Sequence, residues 1–372
     1  MMISTCISRV NHKKKIVKKI NNKKVVSHFH SGVHSHLIIN NTPYSYYHLS
    51  ANNYINMARL AYCPKKLILA KRCKICHFAL NKHKIFFIHS VNQKRKKIFQ
   101  FIILYSDVKK EIVISFSGPG TNNAKIFNTV YQKGFVSVSE LGLNIHIENY
   151  YWEIYSKYIR KVLTEKVQKL IKSKRNLYKF IFIGHSFGGS IATLAAFDLT
   201  KNNIIKKNKK IDSPIVYTYG QLRIGDNAFV TAANKLIKLI RIMRSDDFVT
   251  RVPSCAYDNS SRLFKCYNKT SSTISHFPKF KKYFLVYRKG IRIYRKTIIK
   301  KYKITDKKHD HYHSYYSQPL GTVIYYKGNN FSNYKPCVFR NGIPLCEEKI
   351  KLPATFSASA HSRYFGVDVE SC

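Results

Sequence analysis

The segment Lys179-Phe-Ile-Phe-Ile183 is apolar after its first residue, and it runs directly into Gly184-His-Ser-Phe-Gly188 and then into the helix-forming stretch Ser190 to Thr200. A short, wholly apolar run of this kind reads as a strand buried on both faces, which requires helices to cover it. A glycine two residues to either side of the serine lets the chain turn sharply from strand to helix without a Cβ in the way. Ser186 is then held at the tip of the strand, facing out. Phe187 opens the helix, where unpaired amides and the helix dipole both favour a developing negative charge. Ser186 is therefore the candidate nucleophile, with the Phe187 amide as a candidate oxyanion donor.

The surrounding pattern agrees with a parallel sheet. Two β-rich runs, Phe99 to Tyr105 and Glu111 to Phe116, are separated by a short polar spacer that predicts a hairpin. Apolar residues recur with helical spacing from Tyr150 to Lys172, at Trp152, Tyr155, Ile159, Val162, Leu163, Val167 and Leu170. Further apolar runs at Ile215 to Tyr219, Leu239 to Met243 and Thr322 to Tyr326 predict strands, and Tyr283 to Tyr294 has the look of a hairpin centred on glycine. Strands alternating with helices imply an α/β fold, a mostly parallel central sheet flanked by helices. The helix over Tyr54 to Cys63, stopped by Pro64, marks the start of the folded domain. Residues 1–50, rich in Lys, Asn, His and Ser without periodicity, read as a poorly ordered basic extension or a leader. Residues 51–372 then form one domain, within which 255–310 is a basic insertion.

The formal charge is +48, from 66 Lys and Arg against 18 Asp and Glu, which gives the surface a field that attracts polyanions. Anionic lipid headgroups and nucleic acid both fit that field. No zinc-finger or RNP motif accompanies the charge, so nucleic acid is not expected. No apolar run reaches the roughly 18 residues needed to cross a bilayer. The start, MMISTCISRVNHKKK, carries only a broken apolar patch before a basic run, and no secretory signal segment is evident.

A serine nucleophile needs a base, and the base needs an acid to hold its tautomer. Asp246 and Asp247 both follow the predicted strand that ends at Met243, and His309, His311, His313 and His361 all lie downstream. Residue chemistry alone leaves these alternatives open.

Six ordered motifs narrow them. They are Ala58-Arg-Leu-Ala-Tyr-Cys63 with Cys73 and Cys76, Val113-Ile-Ser-Phe-Ser-Gly118, Gly184-His-Ser-Phe-Gly-Gly189, Tyr219-Gly-Gln-Leu-Arg-Ile-Gly225, Asp246-Asp-Phe-Val-Thr-Arg-Val-Pro253 and Ala360-His-Ser-Arg-Tyr-Phe-Gly366. Across about residues 54–372 the chain resembles the class 3 lipases, the fungal-lipase-like branch of the α/β-hydrolases. That resemblance implies Ser186 as nucleophile, Asp247 as orienting acid and His361 as general base, with His311 and His313 as weaker alternatives. It implies an ester hydrolase acting on an acylglycerol or a phospholipid, with no metal or cofactor, and the basic surface favours peripheral contact with anionic membranes. It also implies that Cys63 pairs with Cys372, and Cys73 with Cys76. Local pairs Cys255 with Cys266 and Cys337 with Cys346 are a further expectation, leaving Cys6 alone among the nine cysteines. Paired cysteines and the sequons at Asn40, Asn259, Asn268 and Asn330 point to the secretory pathway.

Three departures from the family pattern stand out. Pro119 occupies the place where the family carries a Thr or Ser whose amide completes the oxyanion hole, and proline has no N–H. Loss of one such donor costs of order 100-fold in rate. Thr121 is the expected replacement. Ser117 and Leu222 stand where a basic residue and a proline are usual. The long stretch between Asp247 and His361 is the third. Thr121 to Phe135 falls at the family's lid, with Ile126, Phe127, Val130 and Tyr131 at helical spacing.

Overall fold

The apolar runs of the sequence become the strands of one eight-stranded sheet. In chain order these are β1 (Lys84–Gln93), β2 (Lys96–Ser106), β3 (Glu111–Phe116), β4 (Lys179–His185), β5 (Ile215–Tyr219), β6 (Lys238–Arg244), β7 (Thr322–Tyr325) and β8 (Tyr334–Pro336). They lie side by side in sequence order. From β3 to β7 every pairing is parallel. The antiparallel pairs β1–β2, β2–β3 and β7–β8 flank them. The computed structural model describes residues 17–20, 23–26, 36–38, 45–93, 96–119, 135–142, 144–174, 178–206, 212–251, 255–258, 263–266, 322–325, 334–336, 339–340, 343–344 and 358–372.

The helices are α1 (His48–Leu60), α2 (Lys65–Leu69), α3 (Cys76–Leu80), α4 (Arg160–Lys174), α5 (Phe187–Lys201), α6 (Asn227–Leu236) and α7 (Ala358–Ser362). Every residue of α5 from Phe187 to Leu199 is buried. Such burial suits a helix with little charge and small residues, Ala192, Ala195 and Ala196, that let neighbours approach closely. The core gathers around it, with Phe101, Phe116, Phe182, Tyr151, Tyr155 and Phe197 all buried.

The single helix predicted over Tyr150 to Lys172 is interrupted. An α-helical turn over Asn149–Ile154 passes through a π turn, Tyr155–Ile159, before α4 begins. The Arg160 amide bonds back to the Tyr155 carbonyl, so these two residues stack one above the other. Both reach the same buried acid: the Tyr155 hydroxyl donates to Asp198 Oδ2 at 2.6 Å and Arg160 Nε at 3.0 Å. The wider turn satisfies Asp198 from one helix.

By its contacts the chain divides into Met1–Ala51 and Asn52–Cys372. The first unit contains antiparallel pairs of Val17–Ile20 with Lys23–Val26 and of His36–Ile38 with Ser45–Tyr47. They stand where the sequence suggests little regular structure. The β-branched residues Val17, Ile20, Val25 and Val26 supply the local strand preference there. Among the described residues no helix is long and apolar enough to cross a membrane.

Candidate active site

The turn between β4 and α5 is built around glycine. A Cβ on Gly184 would lie 2.2 Å from the Gly188 carbonyl oxygen, and one on Gly188 would lie 2.3 Å from the Phe116 carbonyl oxygen. No side chain fits either gap, so the spacing of the two glycines follows from the sharpness of the turn. Ser186 pays for that sharpness with φ 57° and ψ −129°, a region that non-glycine residues rarely occupy. The strain is held by the Ser186 amide bonding to the Tyr219 carbonyl at 2.8 Å.

Two side chains distant in sequence meet this serine. His361 Nε2 stands 2.7 Å from Ser186 Oγ, and His361 Nδ1 stands 2.9 Å from Asp247 Oδ2 and 3.1 Å from Oδ1. A carboxylate at Nδ1 fixes the tautomer with its proton there, which leaves Nε2 to accept from the serine hydroxyl. All three residues are buried. Burial alone would raise the Asp247 pKa, but the His361 charge and hydrogen bonds from His361, Tyr364 and the Val249 amide override it and hold the carboxyl below its usual range. Burial would likewise lower the His361 pKa, and the Asp247 carboxylate, with a smaller contribution from Glu370, raises it instead. Asp246 is turned away, engaged by Arg244 at 2.9 and 2.7 Å.

Four further residues hold this arrangement. The Tyr364 hydroxyl donates to Asp247 Oδ2 at 2.6 Å. Gly220, at φ +61°, leaves space that a Cβ would take from Asp247 Oδ2 and the His361 ring. The fully buried guanidinium of Arg241 donates from one nitrogen to the carbonyls of both Gln221 and Thr250, tying the turn after β5 to the turn that carries Asp247. His185 Nε2 donates to the His361 carbonyl at 2.8 Å, so its Nδ1 accepts from the Tyr62 hydroxyl at 2.9 Å. Burial, then the neighbouring His361, press the His185 pKa down to about 4, so this ring is neutral.

Residues 113–257 match the family model described as lipase (class 3). Over that stretch, about two fifths of its length, the chain is similar to the class 3 lipases. Among curated relatives it is 28% identical over 163 residues to phospholipase A(1) DAD1, chloroplastic, of Arabidopsis thaliana, covering 41% of this chain and 35% of that protein. It is 33% identical over 109 residues to triacylglycerol lipase OBL1 of Nicotiana tabacum, covering 28% of this chain and 18% of that protein. The chain thus spans about a third or less of the length of these relatives. Among solved structures, a fungal lipase in complex with an inhibitor superimposes with a TM-score of 0.59 at 19% identity, covering 87% of this chain and 96% of that one. The chain shares its α/β-hydrolase fold with that fungal lipase.

Of the residues singled out from sequence, the structure brings Ser186, Asp247 and His361 together and places Phe187 at the head of α5, its ring packed 5.3 Å from Tyr151 and 5.6 Å from Tyr150. Thr121, His309, His311, His313, Cys337 and Cys346 lie outside the described residues, as does the lid segment up to residue 134 and the 283–294 hairpin. Gly118 lies close to the site, its Cβ position 3.7 Å from that of Ser186. Cys63 is bonded to Cys372, and Cys73 to Cys76. Cys255 and Cys266 stand opposite one another in the antiparallel pair Cys255–Asp258 with Leu263–Cys266. The supporting roles of Arg241 and His185 escape sequence reasoning because neither touches its partner through a local pattern.

Proposed function

We propose that this chain is a lipase of the class 3 type, a serine carboxylic-ester hydrolase in which Ser186, His361 and Asp247 act as the catalytic triad. The hydrogen-bonded line from Ser186 Oγ through the His361 ring to Asp247, at 2.7 and 2.9 Å, carries this reading. In the reaction, Ser186 Oγ bonds to the ester carbonyl carbon as its proton passes to His361 Nε2, and the carbonyl electron pair moves onto the oxygen. The Phe187 amide is the proposed donor to that oxyanion, and Thr121, which lies outside the described residues, is the second donor the sequence suggests. The oxyanion collapses, the C–O bond to the alcohol breaks, and the alcohol leaves with the proton from His361. Water then repeats the sequence on the acyl-enzyme and releases the acid.

The substrate class proposed is an acylglycerol or a phospholipid. Relatives are named as a phospholipase A(1) and as a triacylglycerol lipase, which supports an acyl lipid and leaves the headgroup open between them. An anionic membrane surface is the proposed partner. No acidic residue precedes Asp107 in the sequence. On α2 and α3, Leu67, Leu69 and Phe78 are 39%, 56% and 70% exposed amid Lys65, Lys66, Lys71, Arg72 and Lys74. Exposed apolar side chains framed by cations suit an anionic lipid interface better than a nucleic acid. The two disulfides support passage through an oxidising compartment, and the secretory pathway is the proposed location.

Labelling by a fluorophosphonate probe, with the modified residue mapped, tests the reaction. Modification at Ser186, lost in Ser186→Ala together with short-chain nitrophenyl ester hydrolysis, is the expected result. Labelling of another serine, or none, rejects it. Pro119 favours a second reading, a catalytically impaired relative that binds lipid. Flotation of the Ser186→Ala chain with vesicles of anionic phospholipid, in the absence of hydrolysis by the unmodified chain, is its signature.

A further inference from the structure

The chain makes a tight two-residue turn just after His361. Phe365 and Gly366 both take positive φ, 53° and 74°, the pairing that reverses an antiparallel ladder with least splay. Arg363 stands opposite Asp368, and Tyr364 opposite Val367. The Val369 amide continues that register by bonding to the Ser362 carbonyl at 2.8 Å. The return of the chain brings Glu370, the next residue, back beside the end of α7 that carries His361. The side chains meet: a carboxylate oxygen of Glu370 and one ring nitrogen each of His361 and His185 all lie within 4.8 Å of one another.

This placement is fastened from the other side. Arg59 on α1 donates from Nε to the Ser371 carbonyl at 2.6 Å and from a terminal nitrogen to Ser371 Oγ at 3.0 Å. The Cys63–Cys372 bridge follows one residue later, its Cα atoms 4.9 Å apart. Glu370 is therefore held between the short hairpin that follows α7 and a covalent tie to Cys63, just beyond α1.

We infer that Glu370 is a second acid of this site, a positioning and charge-supporting residue that stabilises the imidazolium of His361 in addition to Asp247. The inference rests on the triad reading for its catalytic consequence, though not for its electrostatic one. Among the described residues the titratable groups around the His361 ring are Asp247 from the turn after β6, His185 from β4 and Glu370. Behind these stand Tyr364 on Asp247 and Tyr62 on His185, while Arg244 is committed to Asp246 and to the Arg363 carbonyl. His185, buried and already bonded through both nitrogens, is neutral, so the ring that carries charge within reach of Glu370 is His361. When Ser186 gives its proton to Nε2, a positive charge appears within reach of two carboxylates rather than one. His361 is buried and Glu370 partly buried, so attraction across less than 5 Å is weaker than in a dry interior and stronger than in bulk water.

The test compares the full chain with Glu370→Gln, which keeps size and hydrogen-bonding capacity but removes the charge. Histidine resonances are followed by NMR titration, with His361 assigned by its loss in His361→Asn. His361 is expected to titrate at lower pH in Glu370→Gln, and Glu370→Asp to restore part of the difference. Ester hydrolysis by Glu370→Gln is expected to show an acid limb of kcat/KM at lower pH and a plateau reduced roughly three- to tenfold. A His361 titration that coincides in the two proteins overturns the inference. Because the titration needs no turnover, a chain that fails to hydrolyse esters rejects the triad reading and still decides the role of Glu370.

Discussion

Gly220 and His361 are fitted to one another. A Cβ on Gly220 would come within 3.1 Å of both Cε1 and Nδ1 of the ring, and within 2.9 Å of Asp247 Oδ2. The backbone there is also left-handed, at φ +61°, which costs an L residue roughly 1–2 kcal/mol. Gly220→Ala therefore has two penalties, and both fall on the hydrogen bond between His361 and Asp247. Ester hydrolysis is expected to drop by about 10- to 100-fold, the effect of displacing a catalytic group by a fraction of an ångström. Steady-state kinetics on a nitrophenyl ester, with circular dichroism to show a retained fold, checks this; unchanged kcat refutes it.

Gly188 faces a harder constraint. The atoms in the way of its Cβ are backbone, the Phe116 carbonyl at 2.3 Å and the Ser117 carbonyl carbon at 2.7 Å, and neither can turn aside. Gly188→Ala is expected to separate β3 from α5 and to abolish soluble expression. Recovery of a soluble protein with an unaltered thermal transition contradicts that expectation.

Tyr364→Phe removes a 2.6 Å donor from a buried carboxylate. The cost expected is about 1–3 kcal/mol of stability at neutral pH. The pH dependence has a definite sign. Asp247 has a depressed pKa in the folded protein, so its contribution is present above the unfolded value and is lost as pH falls through the folded one. Without the Tyr364 hydroxyl the folded pKa rises, and acid unfolding starts at a higher pH than in the unmodified chain. Denaturant titrations across the acid range measure the difference, and coincident curves dismiss it.

In the proposed reaction His361 acts as the base only while neutral, and its pKa is raised chiefly by Asp247 against the effect of burial. Hydrolysis is therefore expected to be lost on the acid side at a pH above that of an ordinary histidine. Asp247→Asn removes the charge and the tautomer control together. Its acid limb moves to lower pH and its kcat falls by of order 10,000-fold. A pH–rate profile of both proteins distinguishes this from a purely structural acid, whose loss leaves the limb in place.

Much of the fold is legible in short stretches. The hairpin of β2 and β3 and the strands β4, β5 and β6 follow from runs of buried residues whose character needs no partner to be read. The long helix after Glu148 was legible as a periodicity, but its π turn was not. That turn exists because Tyr155 and Arg160 both reach Asp198, a residue on another helix. The pair Glu370 and His361 lies in between. The turn at Phe365-Gly366 is local, yet the nearness of the two side chains becomes visible only in the folded chain.

The sequence by itself determined the turn at Ser186, since Gly184, His185, Ser186, Phe187 and Gly188 are contiguous and the steric demand on each glycine is met within a few residues or by the adjoining strand. It also presented the candidates Asp246, Asp247 and His361. Only the tertiary structure set Asp247 toward His361 and Asp246 toward Arg244, because adjacent residues in a turn point in different directions and only a folded sheet decides which direction is inward. The same holds for Ser186 and His361, 175 positions apart in the sequence. Their meeting is fixed by the parallel order of β4, β5 and β6 and by the Cys63–Cys372 bridge, and those are contacts between segments that no local pattern contains.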